Sequence, residues 1–138
     1  MTTESTHVSL FIDRSAADVY VFASDPANLP AWASGLSSSI TQEDGRWIVE
    51  SPMGRVTVTF VPANDFGILD HHVTLPSGET VYNPVRVIPD GERSEVVFTL
   101  RRREAMTADD FARDAQAVAA DLRKLKELLE RPSRIPLR

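Results

Sequence analysis

The chain has 138 residues, 42% of them hydrophobic and 25% charged, with 15 basic against 20 acidic side chains for a net charge of −5. That length suits one domain with its own core, and the acidic balance argues against a nucleic-acid surface. Cysteine is absent, which excludes disulfides, thiolate chemistry and Cys-based zinc sites.

The opening MTTESTHVSLFI has no basic stretch followed by an apolar run of signal-peptide length. No apolar run approaches a membrane span, so a cytoplasmic protein is expected. HVSLFI alternates as a first strand, with Val8, Leu10 and Ile12 on one face. SAADVYVFASD follows as a helix, with Ser15 as N-cap, Asp18 in a capping-box position and Val19, Phe22 and Ala23 as its buried stripe. Pro26 stops it, and a second short helix runs to Trp32, closed by Gly35. Residues 36–102 read as short alternating strands between the turns EDGR, SPMGR, VPANDFG, LPSGE and PDGE. The last element is a helix from about Thr107 to Glu130, whose start carries a hydroxyl cap and acidic residues suited to the helix dipole. The two basic runs, at 101–103 and 131–138, read as a solvated strand end and a frayed terminus. One domain is expected over 1–138, ordered from about 6 to 130.

Turn chemistry sets the strand registers. A three-residue LPSGE loop pairs Val73 with Val81, His71 with Asn83 and Leu69 with Val85. A two-residue Asp90-Gly91 turn pairs Val87 with Ser94, Val85 with Val96, Asn83 with Phe98 and Arg86 with Glu95. One face then carries Leu69, Val73, Leu75, Val81, Val85, Val87, Val96, Phe98 and Leu100. The other carries Asp70, His72, Thr74, Thr80, Tyr82, Arg86, Glu95 and Thr99. A sheet apolar on one side needs a cover. The last helix offers one in Phe111, Ala115, Val118, Leu122, Leu125 and Leu129. Its first half is alanine-rich, which predicts a cavity near Phe111 to Ala119.

The order strand, two short helices, six-stranded meander and long C-terminal helix resembles the α+β helix-grip fold of the START-like (SRPBCC) superfamily. In that fold a curved antiparallel sheet of about seven strands wraps a long helix. IDRSAADVYVFASDPANLPAW, with Val19, Asp25, Pro26 and Trp32, resembles its first-strand-to-second-helix pattern, and DAQAVAADLRKLKELLE resembles the closing helix. Closest in appearance are bacterial polyketide cyclase/dehydrase-like proteins; birch-pollen allergens, plant hormone receptors and coenzyme Q-binding proteins share the superfamily. The resemblance implies an apolar cavity between sheet and long helix that holds a hydrophobic or aromatic small molecule. One fold hosts many roles, so the site must be argued from its residues.

The dense polar stretch LDHHVTL divides by strand alternation: His71 and His72 point to opposite faces and cannot share one ion. With only His7 left elsewhere, no metal site is expected. His72 is read as an outer cross-strand pair with Tyr82, and Asp70 as a surface partner of Arg86 of little energetic weight. His71 faces inward, opposite Asn83. It is either a core histidine satisfied by Asn83 or, with Asn83, the polar fixture of the cavity and the candidate acid/base pair. Neither residue matches a catalytic motif of the family.

Trp32 either lines the cavity or plugs the base of the sheet, and Met53 is a lid residue or a chance of turn register. Val58 and Phe60 face inward, while strand 46–50 can present either Trp47 and Val49 or Ile48. Val85, Phe98, Phe111, Ala115 and Val118 complete the expected cavity lining. No serine stands in a nucleophile elbow and no glycine loop suits a phosphate. No cofactor is expected. The expected partner is a hydrophobic small molecule, bound by a carrier or sensor, or else turned over by a cofactor-free cyclase or dehydratase using His71. A docking module finds no support in an exposed apolar patch. Oligomeric state is left open, a homodimer included.

Overall fold

The computed structural model describes residues 4–33, 39–44, 46–51 and 54–131. Gly35, Gly45, Pro52, Met53 and the tail beyond Arg131 lie outside the described residues. Strand β1 (Ser5–Ile12) leads to helix α1 (Ala16–Ala23), a 3-10 turn (Pro26–Asn28) and helix α2 (Leu29–Trp32). Strands β2 (Ser39–Glu43), β3 (Arg46–Ser51), β4 (Gly54–Phe60) and β5 (His71–Thr74) follow. Then come β6 (Thr80–Asn83), β7 (Val85–Asp90), β8 (Arg93–Arg101) and helix α3 (Ala108–Glu130). All pairings of these strands are antiparallel, in the orders β2-β3-β4-β5-β6 and β1-β8-β7. This is the helix-grip architecture.

Local chemistry sets the helix starts. Ser15 accepts from the Asp18 backbone N–H at 3.2 Å, while the Asp18 carboxylate is taken by Arg14 at 2.9 Å instead of closing a full capping box. Asp25 caps the 3-10 turn through Ala27 N–H at 3.0 Å. Thr107 and Asp110 form the reciprocal capping box of α3. Leu122, Leu125 and Leu129 are buried along the helix, each contributing about 2 kcal/mol of apolar burial. On β3 it is Val49 that faces in, opposite Val56, with Trp47 packed beside it.

Eight strands are described rather than about seven, because Pro84 divides the expected strand over 80–87 into β6 and β7. Proline has no N–H to give to a ladder. The first hairpin has the expected register, with His71 opposite Asn83 and Val73 opposite Val81. The second hairpin does not. Val85 opposes Phe98, Val87 opposes Val96 and Arg86 opposes Val97, so the ladder stands two residues from the expected register. The loop is Gly91-Glu92, flanked by the Asp90–Arg93 ion pair at 2.8 Å. A type I′ turn at Asp90-Gly91 would need positive φ at both residues, whereas the observed turn needs it only at Gly91, where φ is +65°. Because the shift is even, no side chain changes face.

The two ladders are sewn together along 67–70. Val87 N–H donates to Gly67 O at 2.9 Å and Leu69 N–H to Val85 O at 2.8 Å. Asp70, expected on the outer surface, is only 3% exposed. Its carboxylate accepts Val85 N–H at 2.9 Å, Arg86 Nε at 3.0 Å, Arg86 Nη2 at 2.9 Å and the Tyr82 hydroxyl. The pairing of Leu69 with Val85 is the expected one and sets Arg86 diagonal to Asp70; the burial of the carboxylate is what differs from expectation. The Asp70–Arg86 pair is therefore a bidentate, half-buried clamp rather than a weak surface contact.

The Arg86 guanidinium, aided by Tyr82 and the Val85 N–H, holds the Asp70 carboxyl down at about 2 against the opposing effect of burial. A depressed carboxylate contributes stability that is fully present above its unfolded value near 4 and is lost as pH falls through the folded value. That contribution is about 2 kcal/mol. Urea unfolding should show Asp70→Asn losing on the order of 3 kcal/mol at neutral pH, with its deficit shrinking toward pH 2. Gly67 has φ +71°, and an added Cβ would sit 2.3 Å from Val87 O. Gly67→Ala should lower the unfolding free energy by on the order of 3 kcal/mol in the same measurement.

Candidate functional site

A cavity of about 230 Å³ lies between the concave sheet and α3. The strands supply its floor: Phe60 from β4, His71 and Val73 from β5, Asn83 from β6, Val85 from β7 and Phe98 from β8. Trp32 stands with Leu29 and Ala33 at the α2 end. From α3 come Asp114, Ala117, Val118, Asp121 and Leu122. Arg101, Arg103 and the exposed Asp114 and Ala117 mark the mouth.

Trp32, Phe60, His71, Asn83, Val85, Phe98 and Val118 thus share one cavity wall, as grouped from the sequence. Val58, Phe111 and Ala115 do not. Val58 is fully enclosed in the core between Trp47 and Val73. Phe111 is buried at the first turn of α3, outside the main core cluster. Ala115 is half-buried on α3 but is not part of the cavity wall. The cavity follows the 114–118–121 flank of the apolar stripe, not its centre. Met53 lies outside the described residues.

The charged rim escaped the sequence reading, since charges on a helix or a strand end read as solvated. Arg102 and Arg103 are in fact engaged, with Glu4 at 3.1 Å and Glu79 at 2.9 Å. Partial desolvation at the cavity mouth raises the Asp114 carboxyl above its usual value, opposed in part by Arg103.

His71 is 9% exposed and sits between two aromatic rings, Phe60 at 5.0 Å and Phe98 edge-on at 6.0 Å between centroids. Its Nδ1 lies 3.1 Å from the Leu69 carbonyl. A carbonyl can only accept, which assigns the proton to Nδ1 and leaves a lone pair on Nε2. Asn83 Nδ2 donates toward that lone pair over a long 3.4 Å. Burial pushes the imidazole below its ordinary value, outweighing the Leu69 hydrogen bond and the Asp70 charge. His71 is therefore neutral at pH 7, a hydrogen-bond acceptor and potential base rather than a cation. His72, on the opposite face, stacks on Tyr82 at 4.8 Å as the outer cross-strand pair expected of it.

The sequence matches the family described as polyketide cyclase / dehydrase and lipid transport over residues 3–130. The chain belongs to that family. No curated protein matches it in sequence. An uncharacterised protein from Bacillus thuringiensis has the same fold at a TM-score of 0.72 and 14% identity, covering 91% of this chain and 98% of that one. The Zhui aromatase/cyclase from a Streptomyces species aligns at 0.71 and 14% identity, covering 94% and 95%. Truncated norcoclaurine synthase from Thalictrum flavum aligns at 0.65 and 14% identity, covering 96% of each chain. The START-like resemblance read from the first strand, the two short helices and the closing helix is borne out. Within this polyketide cyclase/dehydrase-like family the fold binds hydrophobic ligands. No helix among the described residues is long and apolar enough to cross a membrane.

A depressed imidazole contributes stability that is present above about pH 6.5 and lost on acidification, as the unfolded chain takes up the proton first. Nitrogen-detected NMR should find His71 as the Nδ1–H tautomer, titrating with a midpoint below 6.5. A midpoint at or above that value would contradict the burial argument.

Proposed function

We propose that the protein binds a small hydrophobic or aromatic molecule in this cavity, with His71 and Asn83 as the polar fixture that orients it. The observation that carries the reading is an apolar chamber whose floor holds one neutral, tethered imidazole with its Nε2 lone pair weakly engaged. A ligand hydroxyl is a better donor to that lone pair than an amide at 3.4 Å. Phe60 and Phe98 frame the same spot and suit an aromatic ring. A norcoclaurine synthase of this fold is known in complex with dopamine and hydroxybenzaldehyde, at 17% identity and a TM-score of 0.58. Such a distance supports the shape of the chamber, not the ligand's identity.

One further reading has an observation of its own. Because Nδ1–H is tied to Leu69 O, Nε2 is presented as a base. A cofactor-free cyclase or dehydratase would use it to take a proton from carbon beside a carbonyl, with Asn83 holding the oxygen.

Native mass spectrometry of the purified protein should reveal a co-purifying apolar molecule, and calorimetry should show binding of a naphthol probe. His71→Ala and Asn83→Ala should each weaken the probe about tenfold. No binding of any aromatic probe by the wild-type protein at millimolar concentration would sink the reading. For the catalytic reading, His71→Ala should lower turnover by about 10²–10⁴ while binding changes far less.

A further inference from the structure

Strand β1 is the outer strand of its ladder, with β8 on one side only. In an antiparallel pair, alternate residues turn both backbone groups toward the neighbour and the residues between them turn theirs away. Arg102 N–H donates to Glu4 O at 2.9 Å, which sets the phase. Thr6, Val8, Leu10 and Ile12 are thereby bonded to β8, and Ser5, His7, Ser9 and Phe11 present N–H and C=O to the free edge. Helix α3 covers one end of that edge: Lys126 Nζ donates to Phe11 O at 3.0 Å and Glu130 accepts the Asp13 N–H at 2.6 Å. Ser5, His7 and Ser9 are exposed, and their outward backbone groups have no hydrogen-bond partner among the described residues. Edge strands are ordinarily guarded by a lysine or other charge, a proline or a bulge. STHVSLFI contains no charge and no proline, and it pairs with β8 without a break from Ser5 to Ile12.

We propose that β1 is a self-association edge, pairing antiparallel with β1 of a second copy of the chain about a twofold axis at His7. Ser5 then lies opposite Ser9 of the second copy, and His7 opposite His7. Only this twofold register pairs the three open residues entirely with one another. An axis nearer Ile12 brings in Phe11, whose carbonyl Lys126 already holds, and an axis nearer the N-terminus leaves Ser9 facing beyond the start of the strand. Each of these residue pairs exchanges two hydrogen bonds, and two three-stranded ladders merge into one sheet. Charge and shape both suit a copy of this chain. The net charge is −5, yet β1 carries no charged side chain, so the two strands meet without like charges opposite each other. The facing serines are small, and the His7 ring is bonded away from the edge, to the Thr99 hydroxyl of β8 at 2.9 Å. On the inner face Val8, half-buried, gains cover from Thr6 of the second copy. A twofold pairing consumes both edges and closes at a dimer, where a head-to-tail contact would propagate. Ser5, His7 and Ser9 are not on the cavity wall, so the contact is independent of what the cavity binds.

The test is sedimentation velocity over a concentration series. One strand pair lies at the small end of specific interfaces, so wild-type protein should dimerise with a dissociation constant of about 10–500 µM. Ser9→Pro removes an outward N–H and sets a ring on the edge while leaving the β8 ladder whole, since proline is tolerated where the N–H faces solvent. It should weaken the dimer about tenfold or more, and Ser9→Ala should not. Wild-type protein that stays monomeric at about 1 mM overturns the proposal. So does a dimer that Ser9→Pro leaves intact, which places the contact elsewhere. Amide hydrogen exchange on the unaltered chain covers a variant that fails to fold. The Ser5, His7 and Ser9 amides should exchange about tenfold more slowly at dimer-forming concentration than in dilute solution, while Thr6 and Val8, already bonded to β8, hold their rates. A dimer in which those three amides stay fast overturns the proposal, and slowing of only two of them overturns the pairing at His7.

Discussion

The carboxylate of Asp70 stands where the sheet would otherwise come apart. Pro84 interrupts the strand that carries Asn83 on one side and Val85 on the other, and the two ladders meet at that break. A side-chain oxygen takes the Val85 N–H in place of a backbone carbonyl. Arg86 then balances the charge with two hydrogen bonds. Leu69 and His71, the neighbours of Asp70, both line the cavity. Their positions follow from this clamp, as does the Leu69 carbonyl that fixes the His71 tautomer. A buried carboxylate is costly unless paired and fully hydrogen-bonded, and here both conditions are met.

The two ends of α3 are treated differently. Near its C-terminus Lys126 reaches Phe11 O at 3.0 Å, Glu130 receives the Asp13 N–H at 2.6 Å and Arg14 reaches Leu129 O at 2.6 Å. Leu125 and Leu129 fill the space beneath. The helix is clasped to β1 at that end and closes the core. Toward its N-terminal half Ala117 and Val118 leave room, and the mouth opens between them and the end of β8. The grip is thus tight at one end and hollow at the other, a direct result of leucine giving way to alanine and valine along the helix.

Inside that hollow, polar groups are few and each is donor or acceptor by necessity. His71 offers a lone pair and Asn83 an amide. In an apolar chamber each such group selects strongly, because a mismatched one goes unpaired away from water.

Much of this was legible in the chain. Helix caps at Ser15 and Thr107, the alternation of β1 and the inward set from Leu69 to Leu100 follow from local chemistry and period, which neighbours do not alter. The inward turn of His71 toward Asn83 followed in the same way, because the LPSGE loop admits one register. The second hairpin did not, since Asp90-Gly91 and Gly91-Glu92 turns preserve the same face pattern and differ only in the φ they demand. From that two-residue difference came the misplacement of Arg86 against Glu95; the burial of Asp70 depends instead on how the two ladders meet at Pro84. The cavity's flank on α3 and its charged rim were likewise set by how the helix rotates over the sheet. Local pattern names the faces of the elements; their rotation and register against one another are settled by packing.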